Sequence, residues 1–221
     1  MTFHTQKASF EAYEKIKRSI LDLRYRPGEK LSETRLAEDL NLGRSPIRTA
    51  LARLGGEGWI KVLPQSGTFV RDLSPQEVMD LAELRLLLEA HAAQRAAERI
   101  DADDLNLLRT EFESLKAKGV DGHFEDFLRL DDRFHTTLHR VAGNQRVAEI
   151  LQNLRDQIHW IRVVNAIVPG RVAESLKEMD RVLVALERRD GEEAAKAMRQ
   201  HIGNIANSFA TISDDTVHSH E

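Results

Sequence analysis

The sequence contains no cysteine. Disulfides, thiolate catalysis and cysteine-ligated zinc are therefore excluded, and a cytoplasmic protein is the expected context. Long apolar runs are also missing. None approaches the roughly 18–20 residues that a membrane span requires. The first twenty residues, MTFHTQKASFEAYEKIKRSI, lack an apolar stretch of secretory type, so no signal peptide is expected. There is no internal repeat and no low-complexity segment. Proline is scarce, with five in 221 residues, and its positions mark the breaks. Strand-like patterns are confined to the first third, and nothing after residue 75 reads as strand.

Hydrophobic residues make up 41% and charged residues 31% of the chain, enough apolar side chain for a real core. The length allows one or two domains. Charge is unevenly spread. Residues 1–73 hold thirteen Lys and Arg against nine Asp and Glu, a net +4, and the remainder holds nineteen against twenty-seven, a net −8. A basic module that binds a polyanion, attached to an acidic remainder, fits this division.

In the first third, Tyr13, Ile16, Ile20 and Leu23 fall at helical spacing, predicting a helix over 10–23. A second helix starts in LSETRLAEDL, with Ser32 as N-cap and Leu36, Ala37 and Leu40 inward. The short turn NLG ends at Gly43, and a third helix is expected to start at Ser45-Pro46, a cap followed by a first-turn proline. Its apolar stripe is Ile47, Ala50, Leu51 and Leu54. Arg44, Arg48 and Arg53 lie off that stripe. The runs WIKVL and TFVRDL around PQSG predict a β-hairpin. Helix, helix, short turn, helix and hairpin make a winged helix-turn-helix. Cations at a helix start are unfavourable by roughly 0.3–1 kcal/mol against the macrodipole. Facing DNA, the sign reverses, because N–H groups and arginines then meet phosphates and base edges.

From residue 75, helical patterns run over about 75–99, 102–118, 122–142, 144–165, 170–189 and 191–210, a six-helix antiparallel bundle. The domain expectation is 1–73 for DNA binding, 74–211 as an all-helical domain, and 212–221 as a disordered tail. On the third of these helices Phe124, Phe127, Leu128, Leu138 and Ala142 form an apolar stripe, and Asp131 and His135, four apart, fall inside it. His201 lies between Met198 and Ile205 on the apolar face of the last helix. A buried carboxylate needs a partner, which a divalent cation (Zn, Ni or Mn) held by Asp131, His135 and His201 would supply. The alternative is a metal-free pocket in which Asp131 pairs with His135 or His201.

The segment YRPGEKLSETRLAEDLNLGRSPIRTALARLGGEGWIKVLPQSGTFV resembles the DNA-binding domain of the GntR family of bacterial transcription regulators. The matched features are the P-G-E-x-L turn, S-E-x-x-L-A-E-x-L, R-S-P-I-R-x-A-L, R-L-x-x-E-G and G-T-F-V. Gly43 departs from the usual Ser or Thr. The resemblance implies DNA contacts by Arg35, Arg44 and Arg48, a phosphate contact by Ser45, and a wing at Ser66-Gly67 entering the minor groove. The rest is similar to the all-helical effector (FCD) domain of the FadR-like branch, through LRLLLEAHAAQRAA, DDRFHTTLHRVAGN and GEEAAKAMRQHI. Six helices rather than seven point to the VanR-like subgroup. Metal-binding members use Asp, His, His and His. Here Asp131, His135 and His201 match, and the remaining position is Met179, whose thioether is a poor ligand for these ions.

The resemblance implies a homodimeric, effector-responsive regulator, not an enzyme. It would read a palindromic double-stranded operator, with 74–211 dimerising and binding a small organic acid, without membrane association; Arg85 and Arg162, each near an apolar helix face, are then candidate anchors for the effector carboxylate. A different class of function, a metal-dependent enzyme built on the helical bundle, would use Asp131, His135 and His201 as a facial triad. No acid, base or nucleophile is evident beside that triad.

Overall fold

The computed structural model describes residues 3–120 and 122–218. The chain forms two compact units, Met1–Ser74 and Pro75–Glu221.

The first unit contains α1 (Phe3–Leu21), β1 (Lys30–Leu31), α2 (Glu33–Leu40), α3 (Arg44–Gly56), β2 (Ile60–Leu63) and β3 (Gly67–Val70). Ala12, Tyr13, Ile16 and Ile20 of α1 are buried, as are Ile47, Ala50, Leu51 and Leu54 of α3, and the two helices pack on each other. α1 is longer than the 10–23 pattern and ends two residues earlier, with Leu23 beyond it in a left-handed turn conformation (φ 55°). Ser32 caps α2, accepting from the Arg35 N–H at 3.4 Å. Asn41 ends α2 in the left-handed region and returns its N–H to Ala37 and Glu38 carbonyls.

The start of α3 differs from the expectation. Gly43 is the N-cap in an extended conformation and Arg44 is the first helical residue, so neither Ser45 nor any other side chain caps the helix. Pro46 is thus the third helical residue. Its missing N–H costs nothing there, because first-turn N–H groups have no intrahelical partner. The hairpin of β2 and β3 gains a third strand, in the order β1-β3-β2, all antiparallel, with Lys30 opposite Phe69 and Leu31 opposite Thr68. Two residues are too short to carry a period-2 signal, so β1 was not legible in the sequence.

The second unit contains α4 (Pro75–Arg99), α5 (Ala102–Lys118), α6 (Phe124–Val141), α7 (Gln145–Asn153), α8 (Arg155–Ala166), α9 (Arg171–Glu187) and α10 (Gly191–His218). These are seven helices among the described residues, where six were expected. The helix expected over 144–165 divides at Leu154, which keeps helical dihedrals (φ −91°, ψ −2°) but belongs to neither segment. No glycine or proline marks the break. Each segment buries its own face, Val147 and Leu151 in α7, then Ile158, Trp160 and Ile161 in α8. The subgroup expectation rested on a count of six and loses that support. α10 also runs to His218, past residue 211 where a tail was expected, and residues 219–221 lie outside the described residues.

The core of this unit combines Ala93, Ala96 and Ala97 of α4, Phe127, Leu130 and Phe134 of α6, Met179, Val182 and Leu183 of α9, and Ala194, Ala197 and Met198 of α10. Small residues let α10 approach α4 closely. A Cβ on Gly191 would stand 3.0 Å from the Gln94 carbonyl oxygen. None of the described helices is long and apolar enough to cross a membrane.

Candidate functional site

Two groups of side chains stand out, one in each unit. In the first unit, Arg35, Arg44, Ser45 and Arg48 are exposed on α2 and on the first two turns of α3. Among the described residues Arg48 meets only a loose carboxylate, with Nε 3.5 Å from Glu33, and Arg35 has Nε 3.6 Å from Asp39. Arg53 is different. Its Nε donates to Glu57 at 2.9 Å, its guanidinium lies 3.7 Å above the Tyr13 ring, and Tyr13 donates to the same Glu57 at 2.6 Å. Arg53 therefore ties α3 to α1, leaving Arg44 and Arg48 as the outward cations of the helix start. Ser66 ends the β2–β3 turn and Gly67 opens β3, opposite Leu63. Gly67 has φ +119°, and a Cβ there would stand 2.8 Å from Cε of Lys30.

In the second unit the structure brings Asp131, His135 and His201 together, with ligand-capable atoms within 4.8 Å of one another. All three are buried, and so are Arg85 and Arg162. The sequence did not reveal what surrounds them. Arg85 Nε donates to Glu89 Oε1 at 2.6 Å, and Glu89 Oε2 lies 2.5 Å from His135 Nδ1 and 3.3 Å from His139 Nε2. His135 Nε2 faces His201 Nε2 at 3.3 Å and Asp131 Oδ1 at 3.7 Å. His201 Nδ1 lies 2.8 Å from Glu178 Oε2. Arg171 grips Glu178 with a fork of two bonds (3.0 and 2.7 Å), and Asn204 donates to the same carboxylate at 2.7 Å. Asp131 Oδ2 lies 3.0 Å from Arg162 Nε. His139 also lines a surface groove of about 710 Å³ with Thr136, Arg140 and Asn144, so the cluster approaches solvent there.

The electrostatics are coherent. Burial opposes ionisation of Glu89, but Arg85 and then His135 overcome it and hold the carboxyl well below its usual range. Asp131 is lowered in the same way, against burial, chiefly by Arg162. Glu178 falls to about 2 because hydrogen bonds from His201 and Arg171 outweigh its burial. Burial, reinforced by the charge of Arg162, pushes His135 down to about 3. An ionised carboxylate only accepts, so Nδ1 of both histidines carries the proton in these contacts. The two Nε2 atoms then face each other and need a proton or an electron acceptor between them.

The family resemblance implies that a divalent ion could be that acceptor. Asp131, His135 and His201 supply donors of the right kind, and Glu89 and Glu178 orient the imidazoles as outer carboxylates do around metal-bound histidines. Two features disagree. Met179, at the fourth position, is completely buried in apolar core. The charge of Asp131 is already met by Arg162. Three buried guanidinium groups, Arg85, Arg162 and Arg171, match three buried carboxylates, Glu89, Asp131 and Glu178. A divalent ion would add two positive charges to a cluster that is already balanced, and uncompensated charge in such a place is costly. Asp131, His135 and His201 do come together as a group able to offer ligands, but the balanced charges around them and the apolar setting of Met179 fit a resident divalent ion poorly.

Three polar atoms remain without a hydrogen-bond partner around Asp131: Arg85 Nη2, Arg162 Nε and Asp131 Oδ2. Arg162 and Asp131 meet by distance, but the N–H does not point at the oxygen. One turn along α8 from Arg162, Asn165 donates to the Ile161 carbonyl at 3.1 Å while its buried Oδ1 has no partner. Glu89, Glu178, Arg171, Asn204 and His139 are thus parts of the site that sequence reasoning missed. The available signal was the Arg85–Glu89 pair, spaced i,i+4 inside the apolar run LRLLLEAHAA.

Comparison with known proteins gives a consistent result for both units. Residues 9–70 match the model described as bacterial regulatory proteins, gntR family, and residues 80–204 match the FCD domain. The chain is 28% identical over 208 residues to the HTH-type transcriptional repressor RspR of Escherichia coli (strain K12), covering 94% of this chain and 91% of the relative. It is 31% identical over 143 residues to the Nta operon transcriptional regulator of Aminobacter aminovorans, covering 64% and 67%. The fold matches the solved structure of E. coli McbR/YncC with a TM-score of 0.70 at 22% identity, over 93% of this chain and 98% of that one.

Proposed function

Since this chain belongs to the gntR family of bacterial regulatory proteins and carries an FCD domain, we propose that it binds its operator as a homodimer and releases or tightens its hold when a small carboxylate enters the helical unit. That it is a transcription regulator rather than an enzyme follows from the family and its relatives. In the proposed reading, Arg44 and Arg48 approach base edges and phosphates from the α3 start, Ser45 and Arg35 contact phosphates, and the Ser66-Gly67 turn enters the minor groove. Two chains related by a two-fold axis match a palindromic site. The regulator works where the chromosome lies, in the cytoplasm.

The observation that carries the effector reading is that two buried guanidinium N–H groups beside Asp131, Arg85 Nη2 and Arg162 Nε, have no hydrogen-bond partner among the described residues. Buried donors left unpaired are costly, and a carboxylate is the natural acceptor for a guanidinium. Asn165 Oδ1 offers an acceptor for a ligand hydroxyl. In this reading the effector enters from the groove that His139 lines. Effector and operator affinities are then linked reciprocally.

A panel of small carboxylic acids, screened by thermal unfolding in chelator and then by operator titration, tests this. A true effector raises the melting midpoint, by mass action, and changes operator affinity. Both effects disappear in Arg85→Gln and Arg162→Gln. A midpoint shift that persists in both variants places the ligand elsewhere.

A further inference from the structure

We infer that Arg162 is a cation built into this pocket, standing beside Asp131 in the role that a metal ion would otherwise fill, so that the site works without metal. The inference rests on the reading of this cluster as the ligand site, but its metal arm needs no effector.

The geometry supports it at three points. First, Arg162 Nε lies 3.0 Å from Asp131 Oδ2, and both side chains are buried. Asp131 is the only carboxylate in the candidate ligand set, and without it two imidazoles are left, too few for a firm site. Arg162 meets Oδ2 of the carboxylate whose Oδ1 faces His135 at 3.7 Å, so a metal ion there would meet a ligand already neutralised by a guanidinium fixed to α8. Second, the count of buried charges closes with Arg162 included. Remove Arg162 and the cluster is left one positive charge short, at Asp131. Third, Arg162 Nε–H is not aimed at Asp131, so the guanidinium can neutralise Asp131 and still present a donor to an incoming anion. Met179, buried in the core of α9, α6 and α10, agrees with a pocket that has no use for a fourth ligand.

The test uses the full chain, stripped by chelator and titrated with zinc by calorimetry, with cobalt absorption as a check on coordination. Wild type should bind zinc weakly. Arg162→Met should bind it at least tenfold more tightly, and its lowered melting midpoint should recover on adding zinc, whereas wild type gains little. Met179→His should tighten zinc binding far more in the Arg162→Met background than alone. Should Arg162→Met fail to fold even with zinc, a double-mutant cycle between Asp131→Asn and Arg162→Gln reads the same pairing through melting midpoints, and the double variant should lose less than the two single losses combined. Wild type that keeps one zinc per chain through chelator dialysis overturns the inference. So does zinc affinity unchanged by Arg162→Met, or a strictly additive cycle. Carboxylate binding to stripped wild type is scored separately, so failure of the metal arm leaves the effector reading standing, and the converse also holds.

Discussion

Replacing Arg48 with alanine separates what this side chain does for the free protein from what it does on DNA. In the free chain the Arg48 side chain is 71% exposed and meets only Glu33, itself 42% exposed, at 3.5 Å. Exposed pairs of this kind contribute about 0–1 kcal/mol, so the stability change should stay within that range. Arg44 is the first residue of α3, and its charge opposes the helix dipole, so Arg44→Ala should be neutral or stabilise by about 0.3–1 kcal/mol. On the operator the signs reverse. A side chain that reads a base loses about 1–3 kcal/mol of binding, a factor of roughly 5 to 150. On a palindrome read by two chains the loss counts twice. If Arg48 touches only phosphate, binding weakens on all sequences and the salt slope drops by about one per contact. Arg53→Ala is the internal control. It breaks the tie to Glu57 and Tyr13 and should lower stability more than DNA affinity. The assay is fluorescence anisotropy on an operator selected from a random duplex pool, at two salt concentrations, with denaturant melts in parallel. Operator affinity unchanged in both Arg44→Ala and Arg48→Ala refutes the assignment of the α3 start as the reading head.

Three further outcomes are expected. In sedimentation at micromolar concentration the chain should run as a dimer, and a 25.1 kDa species with and without operator would contradict the two-fold reading. Gly67→Ala should weaken operator binding, since φ +119° disfavours alanine and its Cβ would press on Lys30; equal affinity and equal stability would show that the wing conformation is not needed. Acid should destabilise the helical unit early. His135 is depressed from 6.5 to about 3 and Glu178 from 4.5 to about 2, so their contributions are complete above the unfolded values and fade as pH falls towards the folded ones, by at most about 1.4 kcal/mol per pH unit for each group. Denaturant midpoints that stay flat from pH 7 to 4.5 would mean that His135 is not held neutral.

The winged unit was readable because its signals are local. Ser32 caps α2, Asn41 turns the chain, and the Ile47–Leu54 stripe is buried as its spacing demands. The cap of α3 was misread, because Ser45-Pro46 looks like a cap and first turn while the backbone places Gly43 in the cap position. Helix boundaries in the second unit were legible where glycine or proline marks them, at Pro75 and at Gly170. The division at Leu154 carries no such mark. It arises from two packing directions, which no period in the sequence records.

The buried cluster shows the limit more clearly. Asp131, His135 and His201 could be placed inward from spacing alone, since each interrupts an apolar stripe. Their partners could not. Arg85 and Glu89 have the i,i+4 spacing of a solvent-exposed helix pair, and only the neighbouring helices decide that this pair is buried. Arg171 and Glu178 are two turns apart, and Asn204 comes from another helix altogether. Yet the chemistry depends on these partners. Without Arg162 the triad reads as a metal site, and with it the triad reads as a charge-balanced pocket with donors to spare. Buried ion pairs are weak evidence for stability, because well-packed apolar residues of similar volume often serve as well or better. A six-charge network inside a small helical bundle is therefore better explained by what it receives than by what it holds together. Its unpaired N–H groups are the donors that the proposed carboxylate effector would meet.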